Sequence, residues 1–444
     1  MKHTRRLLLS AAIFFMAAGQ FFAQSGKVDF TEYKLENGLH VILHRDTSTP
    51  IVTVAVMYNV GSKHERPDRT GFAHFFEHLM FEGTKNIGRG EYPKYVERAG
   101  GALNANTSAD RTYYYQILPS NQLELGLWLE SERMLHAMVD SVGIQTQKKV
   151  VIEEKKQSYD NRPYGTIVPE TFKRAFAVHP YRWPTIGDPE HIMAARDEEF
   201  QEFYDTFYVP NNAVLVIAGD INEKSAKSLI TKYFGDIPKG KKEIVRSNII
   251  EPPLKGEIRD TIFDNVQLPL VLQAYRSPAM NTADYYAMDM LSTLLSGGES
   301  SRLHRELVDN QQVSLMIASM PFPLNEPCVS LVFGFPNMGI DPLVLENAIN
   351  TEIEKVKTEL IPEQEFQKLR NQFENNIING NQYISGRAEN LATYYTYFGD
   401  ASLINKETEK YMAITREDIQ RVANKYFRPE NRVVLYFMPR QAAN

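Results

Sequence analysis

Three residues in the stretch GFAHFFEHLMFEGT, Gly71 to Thr84, have types and spacing that could do chemistry: His74, Glu77 and His78, in the order His-x-x-Glu-His. On a helix advancing about 100° per residue, with His74 at 0°, Glu77 falls at about 300° and His78 at about 40°, all on one face. Two imidazoles one turn apart can hold one metal ion. Glu77 then projects beside them, placed to take a proton from a metal-activated water without being a ligand itself. Neutral imidazoles suit zinc or another late first-row metal, whereas magnesium and calcium prefer oxygen.

A zinc ion with an open catalytic position needs a third protein ligand, and the helical stretch TQKKVVIEEKKQSYD offers Glu153 and Glu154. With Glu154 at 0°, Val150 and Val151 lie at about −40° and 60°, while Glu153 lies at about −100°, nearer Lys149 and Lys156. Glu154 therefore shares the apolar, inward face, and Glu153 reads as a solvated charge. Gln147, seven residues before Glu154, lies on the same stripe and is placed to hydrogen-bond the site from behind the ligands. The single cysteine, Cys328, excludes an internal disulfide and a thiolate metal site, so the metal must be held by nitrogen and oxygen.

The elements that must position these groups run through a chain of 444 residues, too long for one ordinary core. Apolar residues make up 43% and charged residues 23%, the balance of a globular protein, and the net charge of −6 leaves no excess of cations to bind nucleic acid. Residues 1–23 carry Lys2, Arg5 and Arg6 ahead of the apolar run LLLSAAIFFMAA, which reads as a signal peptide ending near Ala23. An exported, most simply periplasmic, chain follows, without a membrane span in its mature part; the adjacent arginines leave the general secretory and twin-arginine routes both open. LENGLHVILHRD and IVTVAVMYNVGS alternate apolar with polar residues and break at Asn37-Gly38 and Gly61, as paired strands do. TYYYQILP reads as a strand, Leu123 to Gln157 as long helices, and Phe207 to Ile221 as a buried strand followed by an amphipathic helix.

The second half repeats this plan. YFRPENRVVLYFMP echoes FYVPNNAVLVIAGD, with Pro429 standing 219 residues after Pro210 (429 − 210), and VQLPLVLQAYRSP resembles the early strands. Two copies of one α+β unit, each a mixed or antiparallel sheet packed by helices, account for the length. The expected division is an N-terminal domain over 24–240, a linker over 241–257 and a C-terminal domain over 258–444. The helix Ala283 to Ser296, which should parallel the motif helix, contains no histidine, so only the first unit can carry the metal.

His74-Phe-Phe-Glu77-His78 followed 76 residues later by Glu154 (154 − 78) resembles the pitrilysin family of inverted-motif zinc peptidases, in its two-domain, half-size form. GGALNANTSADRTYYY, HPYRWPTIGDPEHI and LLSGGESSRLHREL agree with it, and the resemblance covers nearly all of the mature chain. It implies one Zn2+ held by His74, His78 and Glu154, with Glu77 as general base in peptide-bond hydrolysis. It further implies that Asn104 and Ala105 lie on an edge strand whose backbone pairs with an extended peptide.

Two positions depart from the family's pattern. Gln147 stands where related catalytic subunits commonly carry a glutamate, and Val308 and Leu315 occupy the places of a substrate-positioning Arg and Tyr. Neither Val308 nor Leu315 can donate a hydrogen bond to a substrate carbonyl or an oxyanion. Arg302 and Arg305 nearby read as surface charges of a helix. The expectation is a zinc endopeptidase subunit acting on short or unfolded peptides, completed as a heterodimer by a homologous non-zinc chain that carries the Arg-x6-Tyr pair. The alternative is a non-catalytic scaffold or assembly member of the same family.

Overall fold

A computed structural model describes residues 27–246 and 248–440. The signal-peptide reading of residues 1–23 lies outside the described residues. The protein is α+β and built on two mixed sheets. The first contains β1 (Thr31–Lys34), β2 (His40–Arg45), β3 (Ile51–Tyr58), β4 (Ala102–Thr107), β5 (Thr112–Pro119) and β6 (Ala213–Gly219) in the order β1-β2-β6-β3-β5-β4. The second contains β7 (Ile258–Asp264), β8 (Leu270–Ser277), β9 (Ser314–Pro321), β10 (Cys328–Pro336) and β11 (Arg432–Pro439) in the order β7-β11-β8-β10-β9.

The repeat is visible in the pairing. β6 lies parallel to β2 and antiparallel to β3, and β11 lies parallel to β7 and antiparallel to β8. In both copies the late strand enters through a short turn that starts at the proline, Pro210–Asn212 and Pro429–Asn431. The structure corrects one expectation here: β2 and β3 are not paired with each other, because β6 is inserted between them. A late buried strand of apolar residues gains two hydrogen-bonded neighbours in the middle of a sheet, where an edge would leave one side of its backbone unpaired.

Nor does the alternation in these strands mark a solvent face. Every residue of β3 after Ile51 is buried, because both faces of the first sheet are covered. One face carries the helices of the N-terminal half, including the motif helix Phe72–Leu79, Leu123–His136 and Glu223–Phe234. The other is covered by Ile384–Phe398 from the C-terminal half, whose Ala388, Leu391 and Ala392 pack on Ala55, Met57, Val214 and Val216. The exchange is reciprocal: Phe172 and Ala175 of the helix Ile167–Ala175 pack on Leu270, Leu272, Val433 and Leu435 of the second sheet. Each half thus lends a helix to its neighbour's sheet, and apolar area that neither half could cover alone is buried.

Among the described residues no helix is long and apolar enough to cross a membrane. Cys328 is a buried free thiol that burial pushes far up from its ordinary value, consistent with a packing residue.

Candidate metal centre

The motif helix Phe72–Leu79 divides by face. Phe72, Phe75, Phe76 and Leu79 point into the core, where Phe72 and Phe75 meet the ring of Phe200 at 4.6 and 4.5 Å. That apolar stripe fixes the rotation of the helix and leaves His74, Glu77 and His78 on the opposite side. The helix Ser141–Lys155 packs against it and brings Glu154 to the two imidazoles. Its start is fixed by Asp140, which accepts the Gly143 N–H at 2.9 Å.

The resulting geometry gathers three metal-ligating side chains. Glu154 lies 3.6 Å from His74 Nε2 through Oε1 and 3.1 Å from His78 Nε2 through Oε2. One ligand atom from each of the three residues falls within 4.8 Å of the others, and among the described residues this is the one such cluster. Hydrogen bonding to His74 and then His78 holds the Glu154 carboxyl well below the ordinary glutamate range.

The donor set fits a late first-row ion: two imidazole nitrogens and one carboxylate, on two helices braced against each other. His74 Nδ1 is buried without a hydrogen-bond partner among the described residues, so this imidazole is not fully satisfied by the protein itself.

Glu153 and Glu154 separate as their faces require, Glu153 being 57% exposed and ion-paired with Lys156. The same helix corrects one detail. Val151 is buried but Val150 is 42% exposed, because the contact stripe is narrower than the sequence pattern implies. Gln147 is placed differently from the expectation as well. It donates to Glu82 Oε1 at 2.6 Å, and no hydrogen bond joins it to His74, His78 or Glu154. Glu82 also pairs with Arg89 at 3.1 Å, and Arg89 pairs with Asp140, so Gln147 belongs to a brace between the ends of the two helices.

Two residues outside the sequence-derived set hydrogen-bond the motif helix. Thr107 donates its hydroxyl to Glu77 Oε2 at 2.6 Å and so orients the carboxylate beside the histidines. The signal was strand parity: the alternation that turns Ala105 inward turns Thr107 to the same face. Glu65, at the N-terminal end of the motif helix, accepts the Gly71 and Ala73 N–H groups at 2.8 Å each. No periodicity links a loop residue to a helix six positions on, so sequence patterning had no way to find it.

Asn104 and Ala105 lie on β4, the terminal strand of the first sheet, where Asn104 pairs with Tyr115 and Ala105 with Tyr114 on one side only. The Ala105 N–H donates to the Asn104 side chain at 2.9 Å. Val308 and Leu315 sit far from hydrogen-bonding roles: Val308 packs against the core of the second half and Leu315 is an exposed apolar residue of β9. Arg302 is not the free surface charge expected from sequence, since it is largely buried and pairs with Glu365 at 2.7 Å.

Comparison with known proteins adds the wider context. Residues 40–188 match the family model described as Insulinase (Peptidase family M16), and residues 196–373 match the Peptidase M16 inactive domain. A zinc protease PqqE from Helicobacter pylori is 30% identical, over 99% of this chain and 100% of that protein. The crystal structure of a protease from Helicobacter pylori superimposes with a TM-score of 0.88 at 30% identity, over 93% of this chain and 100% of that one. The periplasmic protease PqqL from Escherichia coli shares the fold, with a TM-score of 0.76 at 17% identity over 94% of this chain and 48% of that one.

Proposed function

The chain belongs to peptidase family M16, the insulinase or pitrilysin family, and on that premise we propose that it is a zinc-dependent endopeptidase subunit acting on short or unfolded peptides. The observation that carries the reading is the convergence of His74, His78 and Glu154 within 4.8 Å, with Glu77 oriented beside them by Thr107. His74, His78 and Glu154 would hold one zinc ion, which when bound supplies a Lewis acid for the attacking water and the scissile carbonyl. Glu77 removes a proton from the water as its oxygen attacks the carbonyl carbon, then delivers that proton to the departing amine as the C–N bond breaks. Thr107 keeps the carboxylate turned toward the reacting atoms.

An extended peptide would add as a further strand along β4, and the Asn104 side chain must then release the Ala105 N–H for the peptide backbone. Val308 and Leu315 supply nothing to hold that peptide's carbonyls. A homologous partner chain carrying an Arg and a Tyr at those places would complete the site as a heterodimer. The pattern of residues 1–23 supports an exported, periplasmic location.

A non-catalytic scaffold role has one supporting observation, the word "inactive" in the description of the family model matching 196–373. That region holds none of the four residues His74, Glu77, His78 and Glu154. Glu77→Gln in the assembled complex separates the readings: it should abolish cleavage of an unfolded peptide while zinc content stays at one per chain. Undiminished cleavage would sink the enzymatic role given to Glu77.

A further inference from the structure

The motif helix begins with an unusual start. Its first residue outside the helix is Gly71 at φ +93°, which has no side chain to cap the free N–H groups of the first turn. Buried N–H groups left unpaired would be costly, and an ordinary helix meets them with a Ser, Thr, Asp or Asn at that position. Here the partner comes from the preceding loop. Glu65 is buried, and its two oxygens accept the N–H groups of Gly71 and Ala73, each at 2.8 Å.

A second element closes the same end. Gly187, at φ +71°, lies so close to the helix start that an added Cβ would stand 2.3 Å from the Gly71 Cα. The loop it belongs to is pinned by the Asp188 N–H donating to Thr70 Oγ1 at 3.0 Å and by Thr70 Oγ1 meeting His191 Nδ1 at 2.9 Å. Among the described residues the segment HPYRWPTIGDPEHI contributes nothing to the metal cluster, and its Gly187, Asp188 and His191 lie against Thr70 and Gly71 at the helix start.

We propose that Glu65 is a positioning residue for the metal centre, a buried carboxylate that caps the helix carrying His74, Glu77 and His78 and thereby fixes where their side chains stand relative to Glu154. The inference rests on the metal-site reading above. A carboxylate suits this place because it supplies two acceptors at once and its charge is favourable at the positive end of a helix. Burial outweighs the backbone N–H groups that draw its carboxyl down, leaving it raised to about 8. Both oxygens face N–H donors of the first turn, and that geometry is what the cap requires. The Ala73 N–H it holds is adjacent in sequence to His74, and a helix start that frays by one turn would release the first histidine from its partner.

The test uses the full chain and two readouts, zinc affinity by competition with a chelating dye and amide hydrogen exchange. Glu65→Gln keeps the size of the side chain but turns one acceptor into a donor. It should weaken zinc binding about tenfold, the scale seen when residues supporting metal ligands are replaced, and speed exchange over residues 71–79. Asn222→Ala is the control, because Asn222 caps the distant helix Glu223–Phe234 through the Ser225 N–H. It should lower the melting temperature and speed exchange only there, with zinc affinity within twofold. Glu65→Asp, which keeps the charge on a shorter arm, is measured alongside and replaces Glu65→Gln if that variant does not fold; it should show the same two changes to a smaller degree. Zinc affinity within twofold of wild type, with unchanged exchange over 71–79, would overturn the positioning role. A wild-type chain that takes up no zinc would overturn the metal-site reading, and the exchange readout would still decide whether Glu65 caps the helix.

Discussion

Replacing Thr107 by Val removes one hydroxyl beside Glu77, the proposed general base, and little else. Val and Thr have nearly the same shape, both suit a strand, and the pairing of Thr107 with Thr112 runs through backbone that the substitution leaves intact. What is lost is a 2.6 Å hydrogen bond to Glu77 Oε2. A hydrogen bond to a charged group contributes about 1.5 to 3 kcal/mol. Neither partner is fully buried, which places this bond at the lower end, about 1.5 kcal/mol. Since about 1.4 kcal/mol is a factor of ten, kcat/KM should fall about tenfold. The assay is cleavage of a fluorogenic unfolded peptide by the complete complex, with zinc content and melting temperature measured on the same preparations. Thr107→Ser keeps the hydroxyl and should stay within about twofold of wild type. Activity of the Val variant indistinguishable from wild type would show that Glu77 does not depend on this bond. Loss of zinc would show that Thr107 acts on the ligands and not on the base.

Further expectations follow from other parts of the molecule. Glu154→Gln should weaken zinc binding by at least about a hundredfold, measured by chelator competition, since it removes the one anionic member of the cluster. In the metal-free protein the depressed Glu154 carboxyl contributes stability above its ordinary value of 4.5, and that contribution is lost as the pH falls below it; denaturant titrations at several acidic pH values should show a flatter profile for Glu154→Gln. Leu391→Ala opens a cavity under the first sheet although Leu391 belongs to the C-terminal half, and it should cost about 2 to 5 kcal/mol. Hydrogen exchange should then speed up in β3 and β6 as well as in Ile384–Phe398. Val308→Arg with Leu315→Tyr should raise the peptidase activity of the isolated chain; Leu315 is 46% exposed and tolerates Tyr, whereas Val308 packs on the core and its replacement should lower the melting temperature.

What the sequence by itself determined is local. The face shared by His74, Glu77 and His78 follows from five consecutive residues on one helix, and helical geometry is the same wherever the helix is placed. The separation of Glu154 from Glu153 follows from the same periodicity, and the repeat of the strand after Pro210 in the strand after Pro429 is a comparison of the chain with itself. The tertiary structure decided everything that depends on two distant segments meeting. It inserted β6 between β2 and β3, sent Gln147 to Glu82, brought Thr107 to Glu77 and placed Glu65 under the start of the motif helix. It also exchanged Ile384–Phe398 and Ile167–Ala175 between the two sheets. Periodicity records which face of an element is apolar but not which other apolar face will cover it. That choice is made by the packing of the whole chain, and the polar contacts of the site form where the packing leaves their groups side by side.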